Sequence, residues 1–202
     1  IASFGMQIVG FLIALVGVAA TVAATFMVEW KKEAQGKFHI YEGLWMTCSG
    51  TERTTCERHK SVLKLSDEVQ ATRSVMLVCL FLSAVALIVS TVGMKCTRLM
   101  DSMPESKAKV AVTGGMLFLI SGFVTIIITS WYVSIIVEIY HKSHRLQTRE
   151  FGNAIFVSLG GGFFSVVGGA FLSCRRCCET KSSASKSSNH LLPTTHSKSN
   201  YV

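Results

Sequence analysis

The chain has 202 residues, half of them hydrophobic, with 20 basic and 12 acidic side chains and a formal net charge of +8. None of those charges falls in four windows, Ile1–Val28, Ser74–Met94, Val110–Val137 and Phe151–Cys174. Each window exceeds the ~20 apolar residues that carry a helix across a ~30 Å hydrocarbon core, which excludes a soluble enzyme domain, a disordered chain and, despite the basic balance, a nucleic-acid binder.

In chain order, the first window reads as a membrane span over about residues 6–28. A signal peptide is the rival reading, but no basic residue precedes the run and it is longer than a ~7–15-residue signal core. A polar loop of about 29–73 follows. Within it Phe38, Ile40, Leu44 and Met46 occupy even positions while His39, Tyr41, Trp45 and Thr47 occupy odd ones, the alternation of a strand. Gly43 interrupts the pattern, and Gly50 is expected in a turn between Cys48 and Cys56. These are the only two cysteines of the loop, and a hairpin brings such a pair within disulfide reach. On an oxidising extracellular face they form a bridge, whereas on a cytosolic loop they remain two free thiols. Ser66 followed by Asp67 and Glu68 reads as an N-cap with acidic residues in the first helical turn. The second helix therefore starts ahead of the bilayer and enters it near Arg73.

The remaining spans are expected at about 74–95, 110–133 and 152–174, with a second loop of about 134–151 on the same side as the first. Lys and Arg divide 11 against 9 between the loop side and the terminal side, which does not fix an orientation. Cys96 after the second span and Cys174, Cys177 and Cys178 after the fourth share one membrane face and are palmitoylation candidates. A CxxCC zinc site is the rival, weakened by the distance of His190 and His196. Gly161, Ser165 and Gly169 form a stripe of small residues suited to close helix packing inside the molecule. No acidic or basic residue lies within the four uncharged windows, which removes the usual carriers of proton relays and metal-assisted hydrolysis. The hydroxyls of Ser83, Ser90, Ser121, Thr125 and Ser130 read as bonding back to their own helices. No catalytic, cofactor-binding or metal-binding residue is expected. Residues 179–202 read as a disordered tail ending in Tyr201 and Val202, a candidate PDZ ligand captured by strand addition and carboxylate binding.

Trp30, Gly43-Leu44-Trp45, Cys48 and Cys56, within the first loop of a four-span chain, resemble the W…GLW…C…C signature of claudins, membrane proteins of tight junctions. Tyr41 to Met46, Gln70-Ala71-Thr72-Arg73, Gly93 to Cys96, Ser130-Trp131-Tyr132, Glu150-Phe151-Gly152 and the terminal Tyr201-Val202 are similar too. The resemblance implies that residues 1–178 form a left-handed four-transmembrane α-helical bundle under a small extracellular antiparallel β-sheet. It also implies a plasma-membrane protein of the tight junction, with both termini cytoplasmic. Such molecules polymerise in cis and in trans into strands that act as a barrier or a weakly selective path, and they recruit PDZ scaffolds of the zonula occludens type. Carried over by residue, Trp30, Gly43, Leu44, Trp45 and Arg73 are the signature, with Leu44 and Trp45 expected against the bridge. Glu52, Arg53, Glu57 and Arg58 are paracellular charges that alternate in sign and are expected to neutralise one another. Val62 would be a knob for a cis pocket made by Ile139, Tyr140 and Phe151 of the next molecule. The alternative is an auxiliary subunit resembling calcium-channel γ subunits or peripheral myelin proteins. Those commonly carry a first-loop glycosylation sequon, which Asn153, Asn189 and Asn200 do not form here.

Overall fold

The computed structural model describes residues 2–51, 54–59, 66–93, 104–142 and 148–187. Helix α1 (Ala2–Phe26) leads into strands β1 (Lys31–Gln35), β2 (Phe38–Glu42), β3 (Met46–Gly50) and β4 (Thr55–Arg58). Helices α2 (Asp67–Gly93) and α3 (Pro104–Lys142), strand β5 (Thr148–Phe151) and helix α4 (Asn153–Ser187) are the remaining elements of the described residues. All four helices contain stretches long and apolar enough to cross a membrane. Val69 and Gln70 donate their amides to the Ser66 carbonyl, so α2 starts where Ser66 and the acidic pair Asp67 and Glu68 place it. Pro104 opens α3, where its missing amide costs nothing.

The bundle is inside-out by the standard of a soluble protein. Phe81, Ile88, Ile127, Phe156 and Phe163 point outward, while Thr21, Thr25, Ser83, Ser121, Thr125, Thr129, Ser158 and Ser165 are buried. That is the pattern lipid imposes, since acyl chains solvate apolar groups and helices associate through small residues and hydroxyls. Helix α4 lies between α1 and α3. A Cβ built on Gly168 would come within 2.5 Å of the Ala14 nitrogen and one on Gly161 within 2.7 Å of Thr21 Oγ1, whereas Cβ atoms on Gly162 and Gly169 would meet Ile126 and Gly115 of α3 at 2.8 and 2.7 Å. The small residues of α4 therefore form two stripes. Gly161, Ser165 and Gly168 face α1, and Gly162 and Gly169 face α3, which corrects the single stripe drawn through Gly161, Ser165 and Gly169. The hydroxyls also depart from expectation. Thr125 bonds back to Ser121 O as expected. Ser83 and Ser121 instead meet across α2 and α3 at 2.7 Å, and Ser121 donates to Cys79 O.

The five strands form one antiparallel sheet of order β4-β3-β2-β1-β5. Gln35 pairs with Phe38, and the two-residue turn between them uses Gly36 at φ 62°, a left-handed conformation that favours glycine. Gly50 is the last residue of β3, opposite His39, and does not lie in the turn. Two further boundaries differ from the sequence reading. Residues 134–142, expected in the second loop, continue α3, because Tyr132, Ile136 and Ile139 keep the helical period and line the joint with the sheet. Helix α4 runs on to Ser187, into the stretch expected as a disordered tail, a segment that holds no Gly or Pro after Gly169.

Candidate functional site

The sheet stands on the ends of α1, α2 and α3, and the sequence signature makes the joint. α1 ends at Phe26, leaving its last carbonyls without helical partners. Met27 N closes on Ala23 O. Trp30 Nε1 donates to Ala24 O at 2.8 Å and Trp45 Nε1 to Thr25 O at 2.9 Å. Two indoles from two points of the loop thus cap one helix end. Trp30 and Leu44 are fully buried in a cluster with Ala24, Val69, Met76, Tyr132 and Ile155. Tyr132 meets the Trp30 ring edge-on at 5.6 Å, a favourable aromatic geometry. Gly43 is required by proximity, since a Cβ there would lie 2.7 Å from Val28 Cα. Arg73 lies over the Trp45 ring at 3.8 Å. The five signature residues, separated by up to 43 positions (Trp30 to Arg73), converge at the base of the sheet.

Cys48 and Cys56 are opposite one another in the β3–β4 register and are disulfide-bonded. Cys48 is buried and Cys56 exposed. The cluster that holds Leu44, with Trp45 packed against it, does not include Cys48. The bridge therefore fastens the outer hairpin while Leu44 and Trp45 fasten the sheet to the helices, which corrects the expectation that both pack on the bridge. An open cleft of about 290 Å³ beside the bridge is lined by Val28, Glu29, Tyr41, Cys48 and Thr54.

Several charges of the sheet are committed locally. Lys31 pairs with Glu33 at 2.8 Å and with Glu42 at 3.2 Å, and Lys32 with Glu29 at 3.3 Å. Glu57 and Arg58 are exposed neighbours on β4. Successive side chains of a strand point to opposite faces, so Glu57 shares a face with Thr47, Glu42 and Lys31, while Arg58 shares the other with Cys56 and Cys48. They do not form the self-cancelling pair that their adjacency suggested. Glu52, Arg53 and Val62 lie outside the described residues, as do Cys96, Tyr201 and Val202; nothing is described of the side chains of Cys177 and Cys178. Cys174 is an exposed free thiol.

Of the expected cis pocket, Tyr140 is 54% exposed and Phe151 42%. Ile139 turns partly inward, lining with Lys31, Glu42, Glu68 and Tyr132 a cavity of about 20 Å³ between the sheet and α2 and α3. The three do not present a common outer surface. Sequence reasoning missed Gly152, the pivot between β5 and α4. Its amide donates to Trp30 O, and a Cβ there would collide with the Glu29 carbonyl. Its signal was present in Glu150-Phe151-Gly152, read only as family likeness. Among the described residues no group of three or more His, Cys, Asp or Glu could hold a metal ion.

A loop of this signature, closed on a four-helix bundle, can be compared with known proteins as a whole. The PMP-22/EMP/MP20/Claudin family profile matches residues 4–172. Claudin-7 of Homo sapiens is 36% identical over the full length of both chains. Claudin-19 of Rattus norvegicus is 37% identical over 86% of this chain and 82% of its own. The chain belongs to the claudin family. Claudin-1 of Rattus norvegicus is likewise 37% identical, over 86% of this chain and 87% of its own. Within this claudin the shared signature thus has a physical meaning, as the set of contacts that seats the sheet on the bundle.

Proposed function

We infer that this chain is a strand-forming claudin of the tight junction, a structural membrane protein whose sheet meets those of other claudins between cells. The observation that carries the reading is the rigid seat of the sheet, with Trp30 and Trp45 capping α1 and Leu44 buried beneath it. A sheet held this way is presented at a fixed angle to the membrane, which a repeating head-to-tail assembly requires. The Cys48–Cys56 bridge supports an extracellular sheet, since disulfides persist in oxidising compartments. Both termini are then cytoplasmic. The domain comprises residues 1–178, and the tail from 179 offers Tyr201 and Val202 to PDZ scaffolds. Cys96, Cys174, Cys177 and Cys178 face the same side for acylation.

Lateral contact is proposed through Val62 of one molecule and the exposed Tyr140 and Phe151 of the next. Exposed apolar groups in stretches rich in charge mark such contacts. The path between cells is proposed as a barrier or a weakly selective route. Freeze-fracture of junction-free cells expressing the chain tests the reading. Continuous strands are expected, and Val62→Asp is expected to abolish them without loss of surface delivery. Absence of strands from the unsubstituted chain at normal surface levels points instead to an auxiliary-subunit role.

A further inference from the structure

The last charge before the uncharged Ser74–Met94 window is Arg73. Leu77 and Phe81 follow it at four-residue steps, 42% and 69% exposed, so Arg73 heads the stripe of α2 that faces acyl chains. Its guanidinium carbon lies 3.8 Å over the Trp45 ring, which cannot turn away because its Nε1 is fixed on Thr25 O. Phe26, 60% exposed at the end of α1, stacks on the same indole. Among the described residues no carboxylate forms an ion pair with Arg73, whereas Glu29, Glu33 and Glu42 pair with Lys31 and Lys32. A fixed cation with unused N–H donors therefore stands at the edge of the hydrocarbon, between two exposed apolar surfaces.

We propose that Arg73, on its Trp45 platform, binds the phosphodiester of a phospholipid headgroup in the leaflet on the sheet's side. The planar guanidinium fork matches two phosphate oxygens, and contact with an aromatic face holds it while its edge stays free to donate. In a bilayer spanned by these helices, Trp45, bonded to the last turn of α1, would sit at the membrane–water boundary that tryptophan prefers. The acyl chains of the bound lipid run down Leu77 and Phe81 on α2 and Phe26 on α1. The lipid thereby ties α1, the β2–β3 corner and α2 together at one point. The proposal rests on the placement of the helices in a bilayer and is independent of strand formation.

The test uses the full-length chain in mild detergent. Thermal unfolding is followed while the micelles are titrated with phosphatidylcholine, with a galactosyl-diacylglycerol of the same acyl chains, or with inorganic phosphate. Phosphatidylcholine is expected to raise the Tm and the other two to leave it unchanged. Arg73→Gln is expected to weaken the phosphatidylcholine midpoint roughly tenfold, the loss of about one charge-assisted hydrogen bond. Arg58→Gln, on β4, is expected to leave the midpoint unchanged. If Arg73→Gln fails to fold, Arg73→Lys carries the test, since it keeps the charge and loses the fork, and a weakened midpoint is expected. An unchanged midpoint in either folded Arg73 variant, or an equal rise in Tm with the galactolipid or with inorganic phosphate, overturns the site.

Discussion

Trp30 Nε1 donates to the carbonyl of Ala24, six residues back along the chain, at 2.8 Å. The bond ties the start of the first loop to the final turn of α1, and the indole is fully buried. Trp30→Phe keeps most of the apolar volume but leaves a buried carbonyl without a donor, a cost of ~1–3 kcal/mol. Trp30→Ala adds a cavity, for ~3–5 kcal/mol. Thermal unfolding in detergent is expected to rank them in that order, both below the unsubstituted chain. Equal Tm values for Trp30→Phe and the unsubstituted chain contradict the capping role.

The three consecutive glycines of α4 give a sharper test of the bundle, because their surroundings differ although their sequence context is the same. A Cβ at Gly160 meets nothing within 4 Å, while at Gly161 it meets Thr21 and Gly17 of α1 and at Gly162 it meets Ile126 and Gly122 of α3. Gly160→Ala is expected to be neutral or to stabilise by up to ~1 kcal/mol through helix propensity. Gly161→Ala and Gly162→Ala are each expected to destabilise by ~1–3 kcal/mol through overpacking. Comparable losses at all three positions would show that α4 is not wedged between α1 and α3.

The helices were legible because lipid demands a long uncharged run for each span, and Ser66, Asp67 and Glu68 gave the start of α2 directly. The sheet was legible only in part. β2 carries the hydrophobic alternation of Phe38 and Ile40, but β1 reads Lys-Lys-Glu-Ala-Gln. Its residues are placed by cross-strand partners, such as Lys31 with Glu42, and not by burial of an apolar face. Strand β5, in the second loop, is defined by pairing with β1 from more than 100 positions away, which local periodicity does not report. The bundle contacts were hidden for a similar reason. Gly161 and Gly162 look alike in sequence, and only the positions of α1 and α3 assign them to different partners. At the site, the signature named Trp30, Leu44 and Trp45. That the indole nitrogens of Trp30 and Trp45 cap α1 depends on where that helix stops relative to the sheet.

The Cys48–Cys56 bridge closes a short loop and is expected to contribute ~2–3 kcal/mol in the chain-entropy model. Maleimide applied to intact cells without reductant is expected to leave both cysteines unlabelled. Because Trp45 is anchored to α1 and Leu44 to the bundle, Cys56→Ser is expected to loosen β4 alone. Tryptophan emission, which reports the buried Trp30, the half-buried Trp45 and the exposed Trp131 of α3, should then be unchanged while β4 becomes accessible to protease. A red shift in emission on loss of the bridge contradicts this division of labour.

Glu57 and Arg58 separate two accounts of ion passage. Were they a neutralising pair, Arg58→Gln and Glu57→Gln would shift the dilution potential of an expressing monolayer in opposite directions by similar amounts, and the double substitution would restore the original value. Their positions on β4 place them on opposite faces of the sheet. The Glu57 face is the one that, at Lys31 and Glu42, turns toward Glu68 of α2 and Ile139 of α3, so Arg58 occupies the face turned away from those helices. Charges beyond ~8 Å are largely screened at physiological salt, so a face that the ions do not pass contributes little. Arg58→Gln is therefore expected to move the potential toward cation preference, and Glu57→Gln to leave it nearly unchanged. The double substitution is expected to behave like Arg58→Gln alone. Restoration of the original potential in the double substitution would mean that the two charges act from the same side.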